Sequence, residues 1–356
     1  MRVRIVNNFK PLYIGDKQCL SFRMGKLYYH PSITDKPIYL GALPMTKMQK
    51  ILSKQRLTER IMRLEPRTTL EISEGKYLVS FAGAIYFVDI QKRKILCEHR
   101  FRQGMSNPLN FCKIEGITGF HDCIAYGEYW GNAGREEVSV YTRRGMTWEK
   151  KFTFPKRKIR HIHGIIADKY RDCVLILTGD KDSESGIWRA RNDFREVEPI
   201  LYGSQLYRVC VAFPIEEGIL YAMDSAHKNN SIVLASLDSS AWKTEILYDM
   251  PGACMYGTKN ADKFIFSTSV EPSGAYGRIR NLFSYELAKG VKDRKSHIIV
   301  GNLSEGFQDI IALKKDFLPM GLCQFGNIQF PDGQKRDRIV MYPVSVNKYD
   351  GQTCLL

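Results

Sequence analysis

The chain of 356 residues has no Cys-x-x-Cys pair among its nine cysteines. No structural zinc site is readable, and an odd cysteine count without framework spacing argues for a reducing compartment rather than a disulfide scaffold. The sequence lacks the run of about eighteen apolar residues needed to span a bilayer. Its first residues, Met1-Arg2-Val3-Arg4-Ile5-Val6-Asn7-Asn8, lack the apolar stretch of a secretory signal. A soluble, cytoplasmic protein is expected. Acidic residues are in deficit, 38 against 53 Lys and Arg, for a formal charge of +15. Such a surface favours polyanions: nucleic acid, acidic lipid headgroups or acidic polysaccharide. No nucleic-acid module signature accompanies the charge, so no nucleic-acid partner is expected. The Gly-rich stretch Gly274-Ala275-Tyr276-Gly277 fits neither a P-loop nor a dinucleotide fingerprint, which leaves nucleotide chemistry without support.

What the sequence does contain is a spaced set of acids. Glu128, Asp180, Asp224 and Glu271 each follow a short apolar run that reads as a strand, and each opens a polar loop. The steps between them are 52, 44 and 47 residues. A repeat of that length built from short strands predicts an all-β fold, a single β-propeller over residues 1–356, in which equivalent loops surround one mouth. Outer hairpins of the blades are expected from near Leu27, Ile85, Val138, Ile187, Ile232, Leu282 and Ile339. Seven hairpins, with the first and last irregular, mean six or seven blades of four antiparallel strands. Near-continuous apolar runs such as Val174–Thr178 suit inner strands covered on both faces. Pairing Val3–Val6 into the last blade would close the ring and remove its free edges. One segment departs from the pattern. Residues 45–64 read as an inserted amphipathic helix with Met48, Ile51, Leu52, Leu57, Ile61 and Leu64 apolar and a net charge of +5. It either packs on the propeller with its basic face solvated or lies on an anionic membrane.

Two resemblances add to this reading. The hairpin Val140-Tyr141-Thr142-Arg143-Arg144-Gly145-Met146-Thr147-Trp148 resembles a worn Asp-box of sialidase-like, BNR-repeat propellers, and Ser236-Leu237-Asp238-Ser239-Ser240-Ala241-Trp242 is a poorer trace. In that family the box is a structural turn on the face opposite the active site. The stretches Tyr126-Gly127-Glu128-Tyr129, Arg160-His161-Ile162-His163-Gly164, Thr178-Gly179-Asp180, Gly203-Ser204-Gln205 and Lys315-Asp316 are similar to uncharacterised sialidase-like propellers that accompany bacterial surface-polysaccharide biosynthesis. The resemblance implies a glycan context without an established reaction. Arg135, Arg208 and Arg278 stand as candidates for the family's arginine triad by position. The family's N-terminal Arg-Ile-Pro motif is missing, so sialidase activity is not expected.

The propeller topology puts the four acids on the same face as His161, His163, Gln205 and Arg208. His161 and His163, two apart on a strand, should aim the same way. Catalytic candidates are therefore Glu128, Asp180, Asp224, Glu271, His161 and His163. Substrate-binding candidates are Gln205, Arg208, Tyr129 and Arg135, with the Tyr129 ring suited to stack on a sugar. Acids held close together raise the pKa of at least one of them and suit acid–base work. Paired histidines facing carboxylates also suit a divalent metal that polarises a uronate, as in oligogalacturonate lyases, which are propellers too. Sequence alone specifies neither cofactor nor metal ligand. The expected function is recognition, with or without processing, of a glycan that is anionic in one form of the reading. The alternative is a non-catalytic scaffold that docks a membrane-associated glycan assembly through its basic surface.

Overall fold

The computed structural model describes residues 3–16, 18–239, 241–274, 278–333 and 338–356, and of Arg278 the backbone alone. Seven four-stranded antiparallel sheets form the blades of a β-propeller. Six are built in chain order from residues 10–42, 69–100, 112–154, 161–202, 209–250 and 253–314. The seventh combines Asn327–Gln329, Val340–Val344 and Thr353–Leu355 with the N-terminal strand Arg4–Asn7 on its outer edge. Arg4 pairs with Leu355 and Ile5 with Cys354, so the chain's two ends share one sheet and the ring closes as expected.

The innermost strand of each blade lines an axial channel of about 230 Å³. Second strands are the most deeply covered, and every residue of Cys173–Gly179 is buried. Blades meet through side chains of neighbouring sheets, as where Ile162, Ile165, Val174 and Trp188 of the fourth pack against Val138, Val140 and Phe154 of the third. Gly127 permits this approach, because a Cβ there would stand 2.2 Å from Cγ2 of Ile162. Trp148 follows the Gly145 turn between third and fourth strands and donates from Nε1 to Glu98 Oε1 of the adjacent blade at 2.8 Å. The worn box thus serves as a turn and an inter-blade contact, as any propeller requires, and does not identify a sialidase-like family.

Residues 45–64 do not form one helix. They form α1 (Lys47–Leu52) and α2 (Arg56–Met62), separated at Ser53–Gln55. Ser53 caps α1 with its Oγ donating to Lys50 O at 3.1 Å, and Gln55 has an extended backbone that starts the next helix. The expected stripe is divided accordingly: Leu64 is buried, whereas Met48, Ile51 and Leu57 are exposed. A second difference concerns the sixth blade. The hairpin expected from Leu282 lies instead at Lys295–Asn302 and Gly306–Lys314, and Leu282 belongs to α3 (Arg278–Phe283). The β-branched run Ile298-Ile299-Val300 is the better strand former, and it won. A short helix, α4 (Met320–Cys323), precedes the seventh blade. At Ile339 the hairpin is the second and third strands, since the outer strand comes from the N-terminus.

Candidate functional site

First strands begin, and second strands end, on one face of the propeller. On that face the fourth blade presents His161 and His163 from its first strand and Asp180 immediately after its second. A register shift between Ile162 and Gly164 makes His163 the extra residue of a β-bulge. The same bulge recurs at Cys210, between Val209 and Val211, and at Met255, between Cys254 and Tyr256. Bulges re-aim side chains, and here they turn His163, Cys210 and Met255 into the axial channel. As their spacing of two suggests, the two histidines come together, and in the bulged strand their Nε2 atoms lie 3.1 Å apart. Gly179 leaves room for this, because a Cβ there would stand 2.4 Å from Cε1 of His163.

Each histidine is oriented from behind. His161 Nδ1 lies 2.7 Å from Trp130 O, and His163 Nδ1 lies 3.0 Å from Val209 O. A carbonyl only accepts, so each ring carries a proton on Nδ1 and turns its Nε2 forward. Asp180 Oδ1 is 3.3 Å from one Nε2 and 3.4 Å from the other. Two nitrogens and an oxygen therefore converge on one point, which a shared proton or a cation makes favourable. Burial lowers His163 to about 4, with Asp180 pulling the other way and His161 adding to the fall. Burial would raise Asp180, but its contacts with both histidines and the Arg208 charge hold its carboxyl far below the usual range.

Arg208 links this triangle to a second group. Its Nη2 is 3.3 Å from Asp180 Oδ1 and its Nε is 3.7 Å from Asp224 Oδ2. Cys210 Sγ donates to Asp224 Oδ2 at 3.1 Å, while Asp224 Oδ1 and Arg208 Nε have no hydrogen-bond partner among the described residues. Burial pushes Asp224 up to about 8 despite Arg208, with the Glu271 charge adding to the rise. Glu271 is raised too, chiefly by burial, and accepts from Ser269 Oγ at 2.7 Å.

Asp180, Asp224 and Glu271 are thus gathered about Arg208, but Glu128 is not. Its carboxylate accepts the Ser139 amide at 2.8 Å and pairs with Arg102 at 3.0 Å, fastening the second strand of its blade to the third. Arg135 lies apart as well, held by Glu184 with Nε 2.5 Å from Oε1 across adjacent blades. Gln205 is buried and spends its amide on Asp180 O and Ser225 Oγ, both at 2.8 Å, so it stitches two loops. Arg208 is occupied by carboxylates rather than open to an anion. Tyr129 stacks on His161 with centroids 4.3 Å apart. Tyr276 and the Arg278 side chain lie outside the described residues.

A cavity of about 500 Å³ opens above the channel, its wall including Arg63, Arg67, Tyr129, Tyr256 and Gln329. Arg67 lies 4.7 Å over the Tyr129 ring. Sequence reading missed Arg67, Cys210 and Arg160, whose Nη1 is 2.5 Å from Asp180 Oδ2. Arg67 and Arg160 flank innermost strands, as Arg208 does, and that slot was their available signal.

The fold and site define a seven-bladed β-propeller with a polar cluster of histidine, carboxylate and arginine at one mouth of its channel. No protein-family model and no curated relative matches the sequence. Solved structures do resemble it. An oligogalacturonate lyase from Vibrio parahaemolyticus superimposes with a TM-score of 0.55 at 10% identity, over 99% of this chain and 90% of that one. An oligogalacturonate lyase in complex with manganese gives 0.54 at 10% identity over 99% and 90%. The AfRom2 CNH domain gives 0.56 at 8% identity over 99% and 98%. At such identities the likeness establishes the fold.

Proposed function

We propose that this propeller recognises an anionic carbohydrate at its mouth and cleaves it by acid–base chemistry, as a lyase or a hydrolase. The carrying observation is the convergence of His161, His163 and Asp180 beside Tyr129, a residue that also lines a cavity with cationic and aromatic walls. Tyr256 in the cavity wall can meet sugar C–H groups, and Arg63 and Arg67 offer charge to a sugar carboxylate. His163, kept proton-free by burial, is the base; Asp224, beyond Arg208, is the group that keeps its proton near neutral pH. A divalent cation fits the two Nε2 atoms and Asp180 Oδ1 by donor type. Held by those three residues, with His163 then a ligand in place of its role as base, it would supply Lewis-acid polarisation of the carboxylate. Two similar propellers are oligogalacturonate lyases, one with manganese, which supports this choice of sugar and ion. Within this reading the glycan belongs to bacterial surface-polysaccharide metabolism, and nine free cysteines suit work in the cytoplasm.

Calorimetric titration with oligogalacturonate, with and without Mn²⁺, tests the proposal on the wild type and a His161→Ala/His163→Ala variant. Binding that the variant loses at least tenfold is expected. Failure of the wild type to bind any acidic oligosaccharide on a glycan array would sink it. A second reading, a non-catalytic scaffold docked on a membrane-associated glycan assembly, draws on the exposed apolar and basic residues of α1 and α2. It requires salt-sensitive binding that survives the histidine substitutions.

A further inference from the structure

Exposed large apolar residues are unevenly distributed over this molecule. On the face away from the mouth they stand singly, as Met146, Tyr170 and Leu303 do on turns of three different blades. On the mouth face they gather in one sector. Met48, Ile51, Leu57 and Met62 come from α1 and α2, between the first and second blades. Phe317 precedes α4, between the sixth and seventh, and Ile279, Phe283 and Tyr285 come from α3 and its following turn. Phe317 is 82% exposed, Ile279 76% and Ile51 66%, values that the folded chain leaves without cover. No residue of α1 is buried at all.

The sector is one connected platform. Arg60 of α2 is buried and donates from Nη2 to Cys323 O of α4 at 2.7 Å, and its Nη1 pairs with Asp316 at 2.8 Å. Arg56 Nε reaches Asp350 Oδ2 of the seventh blade at 3.2 Å. Gly321 of α4 lies so near α3 that a Cβ would stand 2.6 Å from Asn281 O. Among these apolar groups stand the exposed bases Lys47, Lys50, Lys54, Arg63, Lys289 and Lys348. Among the described residues of the same segments, Glu286 is the one exposed acid.

We infer that this platform is a docking surface for an anionic lipid bilayer. Separate aliphatic and aromatic side chains interleaved with lysines, standing out from short helices, suit insertion among headgroups. The bases add attraction to acidic lipid near the surface, falling off within a Debye length. Docking would turn the mouth toward the membrane, and it does not depend on what the mouth binds. The surface differs from a single amphipathic helix over residues 45–64, because half of it comes from α3 and the Phe317 loop.

Flotation of the full chain with vesicles tests this, using phosphatidylcholine alone and phosphatidylcholine mixed with phosphatidylglycerol. Binding to the mixed vesicles that high salt reverses is expected. Ile51→Asp/Phe317→Asp should weaken it about tenfold or more, and Lys47→Glu/Lys50→Glu likewise. Met146→Asp/Leu303→Asp on the other face should leave it unchanged. All these positions are exposed, so none of the variants threatens folding, which circular dichroism confirms. No flotation of the wild type with the mixed vesicles, or flotation undiminished by the platform variants, would overturn the inference.

Discussion

At the scale of single residues, Asp224 departs from its neighbour Asp180 in the direction of its shift, upward where Asp180 is held down. Its carboxyl rises from 3.8 to about 8 because burial outweighs the attraction of Arg208. Between those values the unfolded chain gives up this proton while the folded chain keeps it. Stability from this group is therefore complete below about pH 4 and is lost as pH rises toward 8, by a few kcal/mol on the order-of-magnitude scale of linkage. Asp224→Asn removes the titration. Its urea midpoint should fall less between pH 5 and pH 8 than that of the wild type; an equal fall would mean that Asp224 ionises in the fold as freely as outside it. The sequence showed this acid because it follows an apolar run, and it showed Asp180 and Glu271 the same way. It showed Glu128 equally well, yet Glu128 turns toward Ser139 and Arg102. Position after a strand fixes where the backbone arrives on the face, but the rotamer depends on which donors the next strand offers. His-x-His was legible too, whereas the bulge in the strand that carries the rings was not, since nothing in Ile162-His163-Gly164 marks a lost register.

At the scale of elements, α2 is held by charge rather than by its apolar stripe. Arg60 is 4% exposed, and its guanidinium meets Asp316, Asp350, Cys323 O and Ser345 Oγ. A buried ion network of this kind need not stabilise relative to an apolar core, but removing one member leaves the others unpaired at a cost of about 3–5 kcal/mol. Arg60→Met should accordingly lower unfolding stability by about 3 kcal/mol, while Arg63→Met, exposed on the next turn, should change it by less than about 0.5 kcal/mol. Equal effects from the two would deny the network its role. This explains why periodicity misjudged the segment. Met48 and Ile51 belong to α1 and Leu57 to α2, and all three are turned to solvent, because the basic side of α2 at 56 and 60 is the side that docks. The sixth hairpin failed for a related reason: a loop insertion after Glu271 carries its own helix, and its Leu282 and Phe283 imitate a strand start.

At the scale of the whole molecule, the ring is closed by few bonds. Pairing of Arg4–Asn7 with Thr353–Leu355 joins the ends of the chain, and its register shifts between Ile5 and Asn7. The seventh blade is also the thinnest, with inner strands Asn327–Gln329 and Val340–Val344 of three and five residues. Closure of this kind was visible beforehand because a propeller with an odd strand at one end and a short blade at the other has one way to remove both edges. The blade count was less visible, since the last blade has a hairpin out of phase with the other six. Because every blade leans on two neighbours, opening the ring at this seam should loosen the sixth and first blades together with the seventh. A chain lacking residues 1–8 should unfold at lower urea, by on the order of a few kcal/mol, and associate through the freed edge of Thr353–Leu355. Hydrogen exchange locates the effect. Amides of Val340–Val344 and of Cys19–Arg23 should lose protection first, while those of Cys173–Gly179, on the far side of the ring, keep theirs until global unfolding. Uniform loss around the ring would instead show that the seven blades unfold as one unit whose strength does not reside in the seam.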